Sequence, residues 1–386
     1  MAKPYPKMTI ELESLAGRAA RLAEEFAVTA GAHDRTSSFP HANFARLAQE
    51  GLLALNVPKR FGGRAGGLED AVTVIRSIAQ GEPSTALVLA MHYIHLATAA
   101  RSWPASWAER LGREAANEVS LINALRVEPE LGTPARGGLP ATLARRTPTG
   151  WSLSGHKIYS TGIPILSWLA VWARTEDAEP KVGTFLVPGG APGIEVRESW
   201  NQLGMRASAS HDVILQNVVI PEDHAVDIRP LAAWSLQEPN QYAWSTLLVA
   251  AVYHGVALAA RHWFLRFART RAPSNLGAPL ASLPRFQEAA GEIETLLGVN
   301  DRLLRSAARD TDEDNPPSVG ESGQIKLTVT NQAIAAVEIA VKLSGNPGLS
   351  AAEPLERHFR DVICGRIHTP QDDSVRIGSG RRALDH

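Results

Sequence analysis

"FLVPGGAPGIEVRESWNQLGMRASASHDVILQNVVIPEDH", residues 185–224, decides the fold. Within it, "GIEVRESW" and "DVILQNVVIP" alternate apolar and polar residues, and glycine and proline break the runs. A period of two reads as half-buried strand, and the intervening "NQLGMRAS" reads as a turn. The segments upstream repeat the pattern: "EVSLINALRV" (118–127), "GWSLSGHKIYSTG" (150–162), "SWLAVWART" (167–175) and "KVGTFLVPGG" (181–190). Short strands at this spacing predict a small β-barrel or sandwich over residues 118–228.

Outside that block the period is 3.6. "LESLAGRAARLAEEFAV" sets Leu12, Leu15, Ala19, Leu22 and Phe26 on one helix face. "HANFARLAQEGLLAL" and "LEDAVTVIRSIAQGEPSTALVLAMHYIHLATAARSW" continue in kind, so residues 1–117 are expected to form a helical domain. After residue 229, "WSTLLVAAVYHGVALAARHWFLRFARTR", "RFQEAAGEIETLLGVNDRLLRSAAR" and "QIKLTVTNQAIAAVEIAVKLSG" read as long helices. "AEPLERHFRDVICGRI" reads as the last one. The expected class is α+β, with strands segregated between two helical domains, 1–117 and 229–386.

Bulk properties narrow the function. The chain has 386 residues, 20% of them charged, and a formal net charge of −1. No basic excess calls for nucleic acid or an anionic membrane surface. One cysteine, Cys364, allows no internal disulfide. No secretory leader and no run of about 18 uninterrupted apolar residues is found, so a cytoplasmic protein is expected. No metal-ligand spacing occurs among the 12 histidines.

Four segments in order resemble the acyl-CoA dehydrogenase superfamily of flavoproteins. These are "GLLALNVPKRFGG" (51–63), "SGHKIYSTG" (154–162), the stretch 185–224 with its Leu-Gly-x-Arg turn and Val-x-Ile-Pro ending, and "HFRDV" (358–362). The resemblance implies an N-terminal helical domain, a middle β-barrel, a C-terminal four-helix bundle and a homotetramer. It also implies a flavin, FAD or FMN, between the β domain and the bundle. Carried onto this chain, Tyr159 stands where an aromatic packs on the flavin ring, and Thr161 where a hydroxyl bonds the ring edge. Val127 replaces a threonine, so that only its backbone can serve, and Thr133 replaces a serine. Arg271 stands where an arginine reaches a neighbouring subunit's flavin. Read alone, each residue has a plainer account. Tyr159 on a strand can be core, Thr161 a β-former, and Arg271 a solvated helix end.

The same resemblance exposes a gap. Dehydrogenase members remove the α-proton of an acyl-CoA with a glutamate, a carboxylate whose pKa burial can tune. The two positions that carry it correspond here to Thr369 and Ser245; Asp372 and Asp373 lie beyond Pro370. "RIHTPQDD" instead resembles the two-component monooxygenase branch. Such enzymes take reduced FMN or FAD as a co-substrate from a separate reductase and oxygenate an aromatic or sulfur compound. His368 is then the candidate catalytic residue, expected to titrate near neutrality; its plainer reading is a helix-capping histidine. Arg360 and Asp361 read as a structural ion pair. A reduced-flavin monooxygenase therefore leads. An FAD-dependent acyl-CoA dehydrogenase with its base elsewhere and a catalytically silent binding subunit are the alternatives.

Overall fold

The computed structural model describes residues 13–133, 137–234 and 237–385. Five helices come first: α1 (Leu15–Thr36), α2 (His41–Gln49), α3 (Leu68–Gly81), α4 (Pro83–Ser102) and α5 (Ala105–Asn117). The Ser14 side chain caps α1 by accepting from the Gly17 N–H, and Ala19, Leu22 and Phe26 are buried as the spacing requires. Leu12 lies outside the described residues. Glu82 caps α4, accepting from the Ser84 and Thr85 N–H groups ahead of a first-turn Pro83.

Eight strands follow: β1 (Leu121–Leu125), β2 (Leu143–Thr147), β3 (Gly150–Lys157), β4 (Leu166–Thr175), β5 (Lys181–Pro188), β6 (Ile194–Arg197), β7 (Asp212–Pro221) and β8 (Ala225–Pro230). They form one sheet in the order β6-β7-β3-β2-β4-β5-β8, with β1 also on β4. Pairing is antiparallel except where β1 and β2 share one side of β4. The stretch 185–224 thus supplies the end of β5, all of β6 and β7, and the turn between them. β6 pairs β7 from Ile194 opposite Leu215 to Arg197 opposite Asp212.

Two strands escape the sequence reading. β2 is "LARRT", whose adjacent arginines break the alternation, and β8 is "AVDIRP", which carries Asp, Arg and a terminal Pro. Conversely, the expected strand through Tyr159 stops at Lys157. Residues 158–162 are loop.

The C-terminal part comprises α6 (Pro239–Thr270), α7 (Pro284–Asp312), α8 (Val319–Ser344), α9 (Pro354–Ile363) and α10 (Asp372–Ala383). Among the described residues no strand follows Pro230. α9 was expected to end the helices; α10 is additional. Its sequence, "DDSVRIGSGRRA", has too few apolar residues to show a stripe, and only Val375 is buried. α6 is long and apolar enough to cross a membrane, but 89% of its apolar window is buried within the fold. It is the central helix, packed on α3, α4, α7, α8 and α9.

Among the histidines buried in this framework are His92, His254 and His358. Burial pushes their pKa values down to about 4, 4 and 3 respectively. His92 is fully bonded, with Nε2 on the Leu53 carbonyl (2.9 Å) and Nδ1 accepting from the Ile122 N–H (3.2 Å). The unfolded chain takes up a proton at each near the ordinary 6.5, whereas the native chain does so only near 3 to 4. Their contribution to stability is complete above pH 6.5 and is lost as pH falls toward 4, at about 1.4 kcal/mol per histidine per pH unit. Asp361 opposes them: burial raises its carboxyl to about 7, so its contribution is lost as pH rises from about 4 to 7. These histidines outweigh Asp361, and the melting temperature is expected to drop between pH 6.5 and 4.5. A melting temperature unchanged across that interval in scanning calorimetry would contradict the burial of these rings as neutral groups.

Candidate active site

The loop after β3 carries the first cluster. Tyr159 is 54% exposed and adopts φ 58°, a left-handed conformation unusual for a bulky residue. It is therefore not the core residue its place in the pattern allows. An exposed aromatic held in a strained backbone offers a flat apolar wall to a ligand. The Trp200 ring stands edge-on to it, with centroids 6.3 Å apart at 78°. Trp200 is fixed in turn by its Nε1–H on the Met205 carbonyl (3.0 Å).

Thr161 sits two residues on. Its Oγ1 accepts from Ser210 Oγ at 3.0 Å, and Ser210 meets Ser208 Oγ at 2.9 Å. With its acceptor side engaged, the Thr161 hydroxyl keeps its own proton to donate. The Thr161 carbonyl accepts from Asn123 Nδ2 (2.9 Å), and Asn123 also bonds His95 of α4. Burial, then the Arg126 charge, push His95 down to about 3, so it is a neutral ring. Ser160, fully buried between Tyr159 and Thr161, has an Oγ with no partner. A flat exposed ring, a hydroxyl with a free proton and an orphaned buried oxygen suit a planar heteroaromatic group with polar edges.

Val127 takes part through its backbone, its carbonyl accepting the Ile158 N–H at 3.0 Å. Beside it, Glu128 is 2% exposed and pins the loop's base. It bonds Lys157 Nζ (2.6 Å), Thr142 Oγ1 (2.6 Å) and the Ala141 and Thr142 N–H groups (2.6 and 3.0 Å). Burial pulls Lys157 down to about 8 against the Glu128 charge. Thr133 is partly buried, and Pro134 beside it lies outside the described residues. Arg271 is exposed and caps α6. It stands 18 residues beyond Tyr253, ~27 Å along the axis at 1.5 Å per residue, so this chain does not bring it to the His368 side.

The second cluster surrounds His368, in the loop between α9 and α10. Its ring does not cap helix carbonyls. Its Nε2 lies 2.7 Å from the Tyr253 hydroxyl of α6. Buried Lys326 of α8 donates to the His368 and Pro370 carbonyls at 2.9 and 3.0 Å. Burial, then the Lys326 charge, push His368 down to about 4. The expected titration near neutrality is thus corrected: at pH 7 this ring is neutral.

Thr369 is exposed, and the Ser245 Oγ back-bonds to the Gln241 carbonyl (3.2 Å) within α6. Asp372 Oδ2 accepts from Asn331 Nδ2 (2.8 Å) and pairs with Arg376 (3.6 Å), while its buried Oδ1 has no partner. Among the described residues no group of three His, Cys, Asp or Glu side chains could hold a metal.

The turn at 203–210 joins the two clusters. The Asp361 Oδ1 accepts from the Met205 N–H at 2.6 Å, and Arg360 bonds Asp34 (3.0 and 2.7 Å), Glu356 (2.7 and 2.9 Å) and the Leu203 carbonyl (2.9 Å). The expected Arg360–Asp361 pair is thereby corrected. Neighbours on a helix point apart, and each holds a different element. Gly204 admits this approach, since a Cβ there would lie 2.1 Å from the Arg360 carbonyl oxygen.

A helical domain, a sheet and a helical bundle meeting around these clusters define a flavin-dependent oxidoreductase fold. Family patterns agree along the chain: acyl-CoA dehydrogenase N-terminal domain at 9–101, middle domain at 126–218 and C-terminal domain at 247–372. The chain is 32% identical to the putative acyl-CoA dehydrogenase YdbM of Bacillus subtilis (strain 168), over 92% of each chain. It is 28% identical to L-evernosamine nitrososynthase of a Micromonospora species, over 98% of this chain and 90% of that one. The X-ray structure of KijD3 with FMN and dTDP-3-amino-2,3,6-trideoxy-4-keto-3-methyl-D-glucose superposes with a TM-score of 0.83. That match has 26% identity and covers 96% of this chain and 93% of KijD3. The chain belongs to the acyl-CoA dehydrogenase family.

Several of these site residues are absent from the sequence reading. His95, Asn123, Tyr253 and Lys326 sit inside apolar helices or strands, where their polarity was the available signal, and Ser210 lies in the loop before β7.

Proposed function

We propose that this chain is a reduced-flavin-dependent monooxygenase acting on a small molecule, supplied with reduced FMN or FAD by a separate reductase. The observation that carries the proposal is that Thr369 and Ser245, where the dehydrogenase base would stand, hold no carboxylate, while His368 stands beside them on the Tyr253 hydroxyl. The flavin would supply two electrons, so that one atom of O₂ enters the substrate and the other leaves as water. Tyr159 and Trp200 wall the ring, and the Thr161 hydroxyl donates to its edge. His368, neutral and half-buried, contributes a directed hydrogen bond on the substrate side. The nitrososynthase relative and KijD3 make an amino sugar linked to a nucleotide the first substrate to test.

The YdbM identity favours a second reading, acyl-CoA dehydrogenation. Anaerobic addition of acyl-CoAs of several chain lengths to flavin-loaded protein separates the two. Rapid bleaching of the flavin by any of them would end the monooxygenase reading; oxygen consumption with a reductase present, and no bleaching, supports it.

The combined change Tyr159→Ala and Thr161→Ala removes both the ring wall and a donor. Flavin affinity is expected to weaken about a hundredfold, and unchanged affinity in a folded double variant would remove the site. A homotetramer belongs to the same proposal. Leu349, Ile367, Ile377 and Leu384 are exposed around the C-terminal helices, where a bundle-to-bundle contact would cover them. Light scattering at monomer mass across micromolar concentrations would exclude it.

A further inference from the structure

Tyr253 is fully buried on α6, and burial holds its phenol well above the ordinary range. It therefore keeps its proton at every working pH. A buried hydroxyl donates to the acceptor within reach, and Nε2 of His368, at 2.7 Å, is that acceptor. The imidazole, being neutral, then carries its single proton on Nδ1.

Three elements build this arrangement. Lys326 of α8 ties the backbone on both sides of Thr369 through the His368 and Pro370 carbonyls. Gly365, in the turn after α9, lies against the face of the phenol ring. A Cβ there would come within 2.6 Å of Thr330 Cγ2 and 3.0 Å of Tyr253 Cδ2. The missing side chain lets the turn close over the ring and deliver His368 to its hydroxyl. The two rings lie 5.6 Å apart at 43°.

We propose that Tyr253 is a positioning residue that locks His368 as the Nδ1–H tautomer, leaving that N–H as the donor offered to the reacting partner. The inference rests on the reading that His368 faces the flavin's substrate side, and it deepens that reading. The atom met by His368 must then bear a lone pair, as an amine nitrogen or a reduced oxygen atom does, and a C–H to be deprotonated is a mismatch.

The test separates the lock from its use. The full chain is labelled with ¹⁵N-histidine, and His368 is assigned by the signal missing in His368→Gln. Long-range ¹H–¹⁵N spectra at pH 7 are expected to show the Nδ1–H pattern in wild type, before any flavin is added. Tyr253→Phe keeps the ring and removes the bond, and is expected to give averaged tautomers. An Nε2–H pattern in wild type, or an unchanged pattern in Tyr253→Phe, overturns the proposal. With reductase and substrate, Tyr253→Phe is also expected to lower product per reduced flavin about tenfold at unchanged flavin affinity. Averaged tautomers with full coupling would uphold the lock and overturn the role given to His368.

Discussion

Replacing His368 with alanine is expected to cut product formed per reduced flavin consumed by about a hundredfold, the scale on which a positioned proton-transfer or hydrogen-bonding group acts. Oxidation of the reduced flavin should continue, with hydrogen peroxide released in place of product. Alanine removes the ring, and with it the polar group presented on this side. It also leaves the Tyr253 hydroxyl without its partner and opens a space that water enters. Water competes for the reactive oxygen and drains electrons into peroxide. The readout is an oxygen electrode with catalase, which returns half the oxygen when the cycle is uncoupled. Coupling equal to wild type would show that His368 does no more than brace the loop. Because the ring is neutral at pH 7, the ring ¹⁵N shifts of His368 should also show no titration between pH 6 and 7; a titration of those shifts there would place its pKa back near neutrality.

The second large effect is on stability. Glu128→Ala is expected to destabilise the protein by about 3–5 kcal/mol, the usual result of leaving one half of a buried ion pair in place. Lys157 would remain with no exposed surface and its charge uncompensated, while the Thr142 hydroxyl and two N–H groups would lose their acceptor. The double change Glu128→Leu with Lys157→Met removes the pair as a whole and should recover most of the loss. Urea unfolding measures both. Because the pair anchors the end of β3, the single variant should weaken flavin binding as well; stability within about 0.5 kcal/mol of wild type, the range of neutral surface changes, would deny the pair any such role.

The architecture was legible because hydrophobic periodicity is a local property, and the helical and β segments keep their periods for many residues. β2, β8 and α10 were not, since each is short and carries charges that blur the pattern. The site was legible only in part. Tyr159 and Thr161 could be placed through the order of neighbouring motifs. The bond from Tyr253 to His368 spans 115 residues, and no local pattern announces it. The burial that lowers His368 likewise comes from helices remote in the chain. The polar residues that matter most here, Lys326 and Glu128 among them, are satisfied by partners that only the packed structure reveals.

The ties at α9 set an order of events for a chain made from its N-terminus. Arg360 closes on Asp34 across 326 residues, and Asp361 on the Met205 N–H across 156. Nearly the whole polypeptide must leave the ribosome before either contact exists. At about 5–20 residues per second, Asp34 waits roughly 16–65 seconds and the Met205 N–H roughly 8–31 seconds for these partners. Until then Asp34 and the 203–206 turn offer unmet polar groups to whatever is near. A translation product that stops before Arg360 can own all eight strands and most of its helices and still lack the ties by which α9 fastens Asp34 and the 203–206 turn.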